Sequence, residues 1–81
     1  MTRRIRTLPD GRNLVVTQLG GGAWVLQVYE GAHGNKFPLD EWFYPDATSA
    51  MQAWYIWEGV GEPEGWKHHY ATRRSRPERE A

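Results

Sequence analysis

Residues 13–30, NLVVTQLGGGAWVLQVYE, decide the fold. Two runs rich in β-branched, aliphatic and aromatic residues flank Gly20-Gly21-Gly22, the composition of two strands joined by a tight turn. If the three glycines are the whole loop, Leu19 faces Ala23 and residues of equal parity share a face. Leu14, Val16, Trp24, Leu26 and Val28 then form one apolar face, the expected core side. Val15, Thr17, Leu19, Val25, Gln27 and Tyr29 occupy the other, which is far from polar. The assignment hangs on loop length, because a slip of one residue sends every side chain to the opposite face.

Upstream, Arg3 to Leu8 reads as a short edge strand. Pro9-Asp10-Gly11 is a turn that pairs Leu8 with Arg12: proline presets φ, aspartate bonds back to the backbone, and glycine takes the left-handed position. Downstream, Gly31 to Lys36 is a glycine-rich loop. Phe37-Pro38-Leu39 has room for a fourth short strand at an edge, since Pro38 cannot donate to a ladder. Asp40 to Asp46 reads as a loop carrying Trp42, Phe43 and Tyr44 between acids.

Pro45-Asp46 opens a helix over Ala47–Glu58, with Asp46 as N-cap and Gly59 as C-cap. On a helical wheel Ala47, Ala50, Met51, Ala53, Trp54 and Trp57 share one side, and Thr48, Ser49 and Gln52 lie opposite. Both tryptophans are expected to be buried, with Tyr55 and Ile56 left partly exposed. VGEPEGW reads as loop, and Trp66 to Tyr70 as either a further strand or a surface segment. The expected fold is α+β: a three-stranded antiparallel sheet, with room for a fourth short edge strand, and one packed helix. One domain covers residues 1–71, and residues 72–81 form a flexible basic tail.

A chain of 81 residues has a small core, and with no cysteine it has no disulfide to brace it. Five Trp, four Tyr and two Phe supply the alternative. Each buried aromatic removes roughly 150–250 Å² from water. All but Trp24 and Tyr29 lie between Phe37 and Tyr70. The formal net charge of zero conceals a pattern. Residues 1–12 carry four arginines against Asp10, +3; residues 13–66 carry Lys36 against seven acids, −6; residues 67–81 carry five cations against Glu78 and Glu80, +3. With no membrane-length apolar run and no signal-like start, a cytoplasmic protein is expected.

Catalytic chemistry finds little purchase. Ser49 and Ser75 have no histidine near in sequence, and the acid pairs Asp40-Glu41 and Glu62/Glu64 read as surface acids. His33, His68 and His69 lack ligand spacing, since adjacent histidines diverge on a strand or a helix. The triple glycine joins strands, whereas phosphate cradles lead into a helix. No enzyme, cofactor or metal is expected.

Binding is the remaining class. The aromatic, acidic middle favours a protein partner, with Tyr29, Trp42, Tyr44, Tyr55 and Ile56 as candidate contacts, because aromatic residues dominate interface hot spots. The alternative is nucleic acid, bound by Arg3, Arg4, Arg6 and Arg12 on the edge hairpin and by Arg73, Arg74 and Arg76 in the tail, where planar guanidinium forks suit phosphate.

Two resemblances bear on this choice. Three strands followed by FYPDATSAMQAWYIW, over roughly residues 3–58, resemble in outline the AP2-type and integrase arm-binding domains. That resemblance implies a sheet face set in the DNA major groove, with Arg4, Arg6, Val15, Thr17, Val25, Gln27 and Tyr29 near the bases. The segment GEPEGWKHHYATRRSRP resembles tails of small orphan proteins from bacteriophages of actinobacteria, which implies a host-directed accessory protein and no particular mechanism.

Overall fold

The computed structural model describes residues 3–30 and 38–71. Five strands form one antiparallel sheet in chain order: β1 (Arg3–Thr7), β2 (Asn13–Gln18), β3 (Trp24–Tyr29), β4 (Asp40–Tyr44) and β5 (His68–Ala71). One helix, α1 (Ala47–Ile56), lies between β4 and β5 in sequence and packs on one face of the sheet. The fold is α+β as expected, with five strands where the sequence reads as three, or four with a short edge strand.

Both hairpins close as their turn residues dictate. Leu8 N–H donates to the Arg12 carbonyl at 2.7 Å, and Asp10 Oδ1 accepts from Arg12 N–H at 3.0 Å. Leu19 N–H donates to the Ala23 carbonyl at 2.8 Å across the triple glycine. Gly21 and Gly22 sit at φ 73° and 86°, a region costly for any residue with a Cβ. That loop sets the register, with Leu14 opposite Val28 and Val16 opposite Leu26. Even-numbered residues of β2 and β3 therefore face α1, as expected.

The segment read as an aromatic loop, residues 40–44, is instead strand β4. Its register sets Trp42 opposite Leu26 and Tyr44 opposite Trp24. Period-two alternation turns Trp42 and Tyr44 inward, and both are only 2% exposed. β5 then adds to β4, seated by Lys67 N–H on the Phe43 carbonyl at 2.8 Å. The possible strand at residues 37–39 is not formed by the described Pro38 and Leu39, and Phe37 lies outside the described residues.

Between sheet and helix lies the core: Leu8, Leu14, Val16, Leu26 and Val28, roofed by Ala50, Ala53 and Trp57. Each such aliphatic side chain contributes about 1.5–3 kcal/mol on burial. The two alanines let the helix backbone approach the sheet, and Trp42 meets Trp57 edge-on with ring centroids 5.1 Å apart. Asp46 caps the helix, accepting from Ser49 N–H at 2.9 Å and from its hydroxyl at 2.8 Å. These bonds to the carboxylate lower its pKa.

α1 ends at Ile56, two residues short of Glu58, because Trp57 turns extended at ψ 131°. Trp57 is buried, but Trp54 is only half-buried, against the expectation that both would be covered. Trp54 lies toward the β1 edge, where Arg6 and the Leu14 carbonyl are its partners.

Candidate functional site: a groove beside the helix

The solvent side of α1 carries two large apolar groups, Tyr55 at 76% exposure and Ile56 at 60%. Both follow from the wheel, since Ile56 lies about 90° and Tyr55 about 170° from the Ala50–Ala53–Trp57 stripe, too far round to reach the sheet. Ile56 also borders an open groove of about 500 Å³ between the helix and the loop that leads to β5. Ala53, Trp57 and Pro63 complete its apolar part, and Glu58, Glu62 and Glu64 supply its charge. All three glutamates are exposed.

The loop wall is held in place by the core. The Tyr44 hydroxyl donates to the Glu64 carbonyl at 3.1 Å, and the Trp57 indole N–H donates to the Val60 carbonyl at 3.0 Å. Burial pushes the Tyr44 hydroxyl pKa up to about 12, so it remains a donor through the neutral range. From β5, His69 stacks on Trp42 at 5.1 Å and bonds through Nε2 to Asp40 Oδ1 at 2.9 Å. Its Nδ1 stands 3.9 Å from Glu62 Oε2, beyond hydrogen-bond reach.

The other sheet face is not covered by α1. Register brings Arg3, Thr17, Val25, Phe43 and His68 into one row across it, and Ile5, Val15, Gln27, Glu41 and Tyr70 into the next. Val15 and Val25 are each 3% exposed, shielded in the middle of the sheet, whereas Ile5 and Tyr70 stand out at its edges. Gln27 Nε2 donates to Glu41 Oε2 at 2.8 Å near its centre. Tyr29 is half-buried here; burial raises its pKa, Arg3 opposes that and Glu41 adds to it.

The residues singled out from the sequence therefore separate. Tyr55 and Ile56 stand together on the helix, and Tyr29 lies on the opposite side of the sheet. Trp42 and Tyr44 are core residues and offer no exposed contact, because residues 40–44 form strand β4 and its alternation turns both toward α1. Among the arginines, Arg3 faces the open side and Arg4 and Arg6 the helix side, so the hairpin does not present them together. Arg6 donates to the carbonyls of Trp54 and Trp57, and Arg12 to Asp10 at 2.8 Å and to the Gly59 carbonyl at 2.8 Å. Both are engaged within the fold. Arg73, Arg74 and Arg76 lie outside the described residues. Glu58, Glu62 and Glu64 were not singled out as a site, although their spacing around Pro63 in an acidic stretch was visible.

Among the described residues, no helix is long and apolar enough to cross a membrane. No protein-family model, curated protein or solved structure matches this chain.

Proposed function

We propose that this chain is a non-enzymatic binding module, a small cytoplasmic accessory or inhibitor protein that docks on another protein through the solvent side of α1. The observation that carries this reading is exposed Ile56 at the lip of an open groove of about 500 Å³, with exposed Tyr55 next to it in the chain on the outer surface of the helix. A large apolar side chain at a concave edge is what an interface anchor requires, and a groove of this size can accept a partner's side chains. The groove wall is braced by Tyr44 and Trp57, so little ordering opposes docking.

Nucleic acid is less favoured. Arg6 and Arg12 spend their guanidinium donors on backbone carbonyls, and Glu41 sits within the open sheet face that a groove-reading sheet would present. The test is capture of partners by the tagged chain after nuclease treatment, repeated with Tyr55→Ala/Ile56→Ala. Retention of a protein by the parent and its loss with the double variant support the reading. Recovery of nucleic acid alone, unaffected by the double variant, overturns it.

A further inference from the structure

We infer that the groove beside α1 receives a cationic segment of another protein, one in which an apolar side chain is flanked by lysine or arginine. The inference rests on the protein-binding reading above and adds the chemistry of the partner. The groove combines two properties. Ala53, Ile56, Trp57 and Pro63 are apolar, and Glu58, Glu62 and Glu64 lie beside them, with no lysine or arginine in the lining among the described residues.

Carboxylates beside a low-dielectric surface focus the local field and draw cations to it. A neutral apolar partner would strip water from the glutamates without replacing it, and an anionic one would be repelled. An apolar group set among cations satisfies both halves of the groove. Arginine fits best, since its fork can take both oxygens of one carboxylate. The loop wall is already in place, because the Glu64 carbonyl accepts from the Tyr44 hydroxyl and the Val60 carbonyl from the Trp57 indole N–H. By contrast, the shallow depression on the other flank of α1 includes Arg4 and lacks acids, so it does not share this preference.

The test is a titration of the isotope-labelled full chain, followed by amide chemical shifts. The probe is a synthetic amphipathic peptide of leucine and lysine, and its control is the same peptide with glutamate in place of lysine. Shifts confined to residues 49–65, seen with the lysine peptide only, are expected. Raising salt from roughly 50 to 500 mM shortens the screening length and should weaken binding by about tenfold or more. Glu58→Gln/Glu62→Gln/Glu64→Gln should weaken it by a similar factor while circular dichroism stays native, since all three side chains are exposed. Glu41→Gln, on the open face, should leave it unchanged.

Equal response to both peptides, or shifts centred on Val15, Val25 and Phe43, would overturn the inference. So would a concentration-dependent dimer that shifts the same amides, which gives the groove to a second copy. Shifts of those amides in Arg73→Gln/Arg74→Gln/Arg76→Gln without any peptide would give it to the chain's own arginines, and overturn it likewise. Protein capture that needs Ile56 but survives the triple glutamine variant retires the cationic partner and leaves the protein-binding reading standing. Capture indifferent to both variants retires the two together.

Discussion

Arg6 Nε, on the edge strand β1, donates to the carbonyl oxygen of Trp54 near the end of α1 at 2.7 Å. The same guanidinium donates through Nη2 to the carbonyl of Trp57 and lies 5.9 Å from the Trp54 ring centroid. A strand thus supplies the cation that the C-terminal end of the helix dipole favours, and it satisfies carbonyls that have no intrahelical partner. α1 contains no basic residue in its last turn to do this locally. Arg6→Met should cost about 2 kcal/mol, the range for hydrogen bonds to a charged group, and Arg6→Lys should recover only part of it because lysine lacks the fork. Urea denaturation of the two variants checks the order; equal stability of Arg6→Met and the parent would refute the cap.

The two helix tryptophans should differ. Trp57 is 8% exposed and meets Trp42 in the core, so Trp57→Ala should cost about 3–5 kcal/mol and threaten folding altogether. Trp54 is half-buried, and its indole N–H donates to the Leu14 carbonyl at 3.1 Å. Trp54→Phe, which keeps an aromatic ring and drops that bond, should cost about 1 kcal/mol. A melt in which Trp57→Ala is the milder of the two would reverse this reading of the helix.

Alkali should unfold the protein through Tyr44. Its folded pKa is raised from 10.0 to about 12 by burial, so the folded state holds the hydroxyl proton more tightly than the unfolded chain. That contribution is fully present below pH 10 and is lost as pH rises from 10 toward 12. Tyr29 acts in the same direction. Tyr44→Phe should be less stable at neutral pH, lacking the bond to Glu64, yet show a flatter decline in alkali. Parallel stability curves for parent and variant would assign the alkaline loss elsewhere.

Gly59 stands at φ +98°, and a Cβ there would meet Arg12 Nη2 at 2.9 Å and Leu8 Cδ1 at 3.2 Å. Gly59→Ala should therefore cost more than about 1 kcal/mol, combining a left-handed backbone with displacement of the guanidinium that holds the Gly59 carbonyl. Thermal unfolding measures it. Gly20→Ala makes the comparison, since nothing lies within 4 Å of that position.

How much of this was legible in advance varied by element. The central hairpin was readable as two strands and a turn, and its register followed only on taking the three glycines as the whole loop, which buries Leu14, Val16, Leu26 and Val28 together. The helix was equally plain, with a capping aspartate and a wheel that separates alanines from polar residues. β4 was not. DEWFY offers two acids and then three adjacent aromatics, with no alternation to mark a face, and its strand character comes from pairing to β3. His68–Ala71 had the same difficulty, since four residues show too little pattern to distinguish a strand from a surface segment. Reading β4 as a loop is what placed Trp42 and Tyr44 on the surface when they belong beneath α1.

The sequence by itself determined the class of the fold, the strands of the central hairpin, the start of the helix with its Asp46 cap, and the exposure of Tyr55 and Ile56. Each of these depends on neighbours within one turn or one hairpin, where spacing along the chain is spacing in space. Tertiary structure alone decided which arginines are free, because Arg6 and Arg12 find their carbonyl partners 47 to 51 residues away. It alone made the groove as well. Glu62 and Glu64 are ordinary acids of a glycine-rich loop until β5 pairs with β4 and turns that loop back against the helix, where Ile56 and three carboxylates come to share one surface.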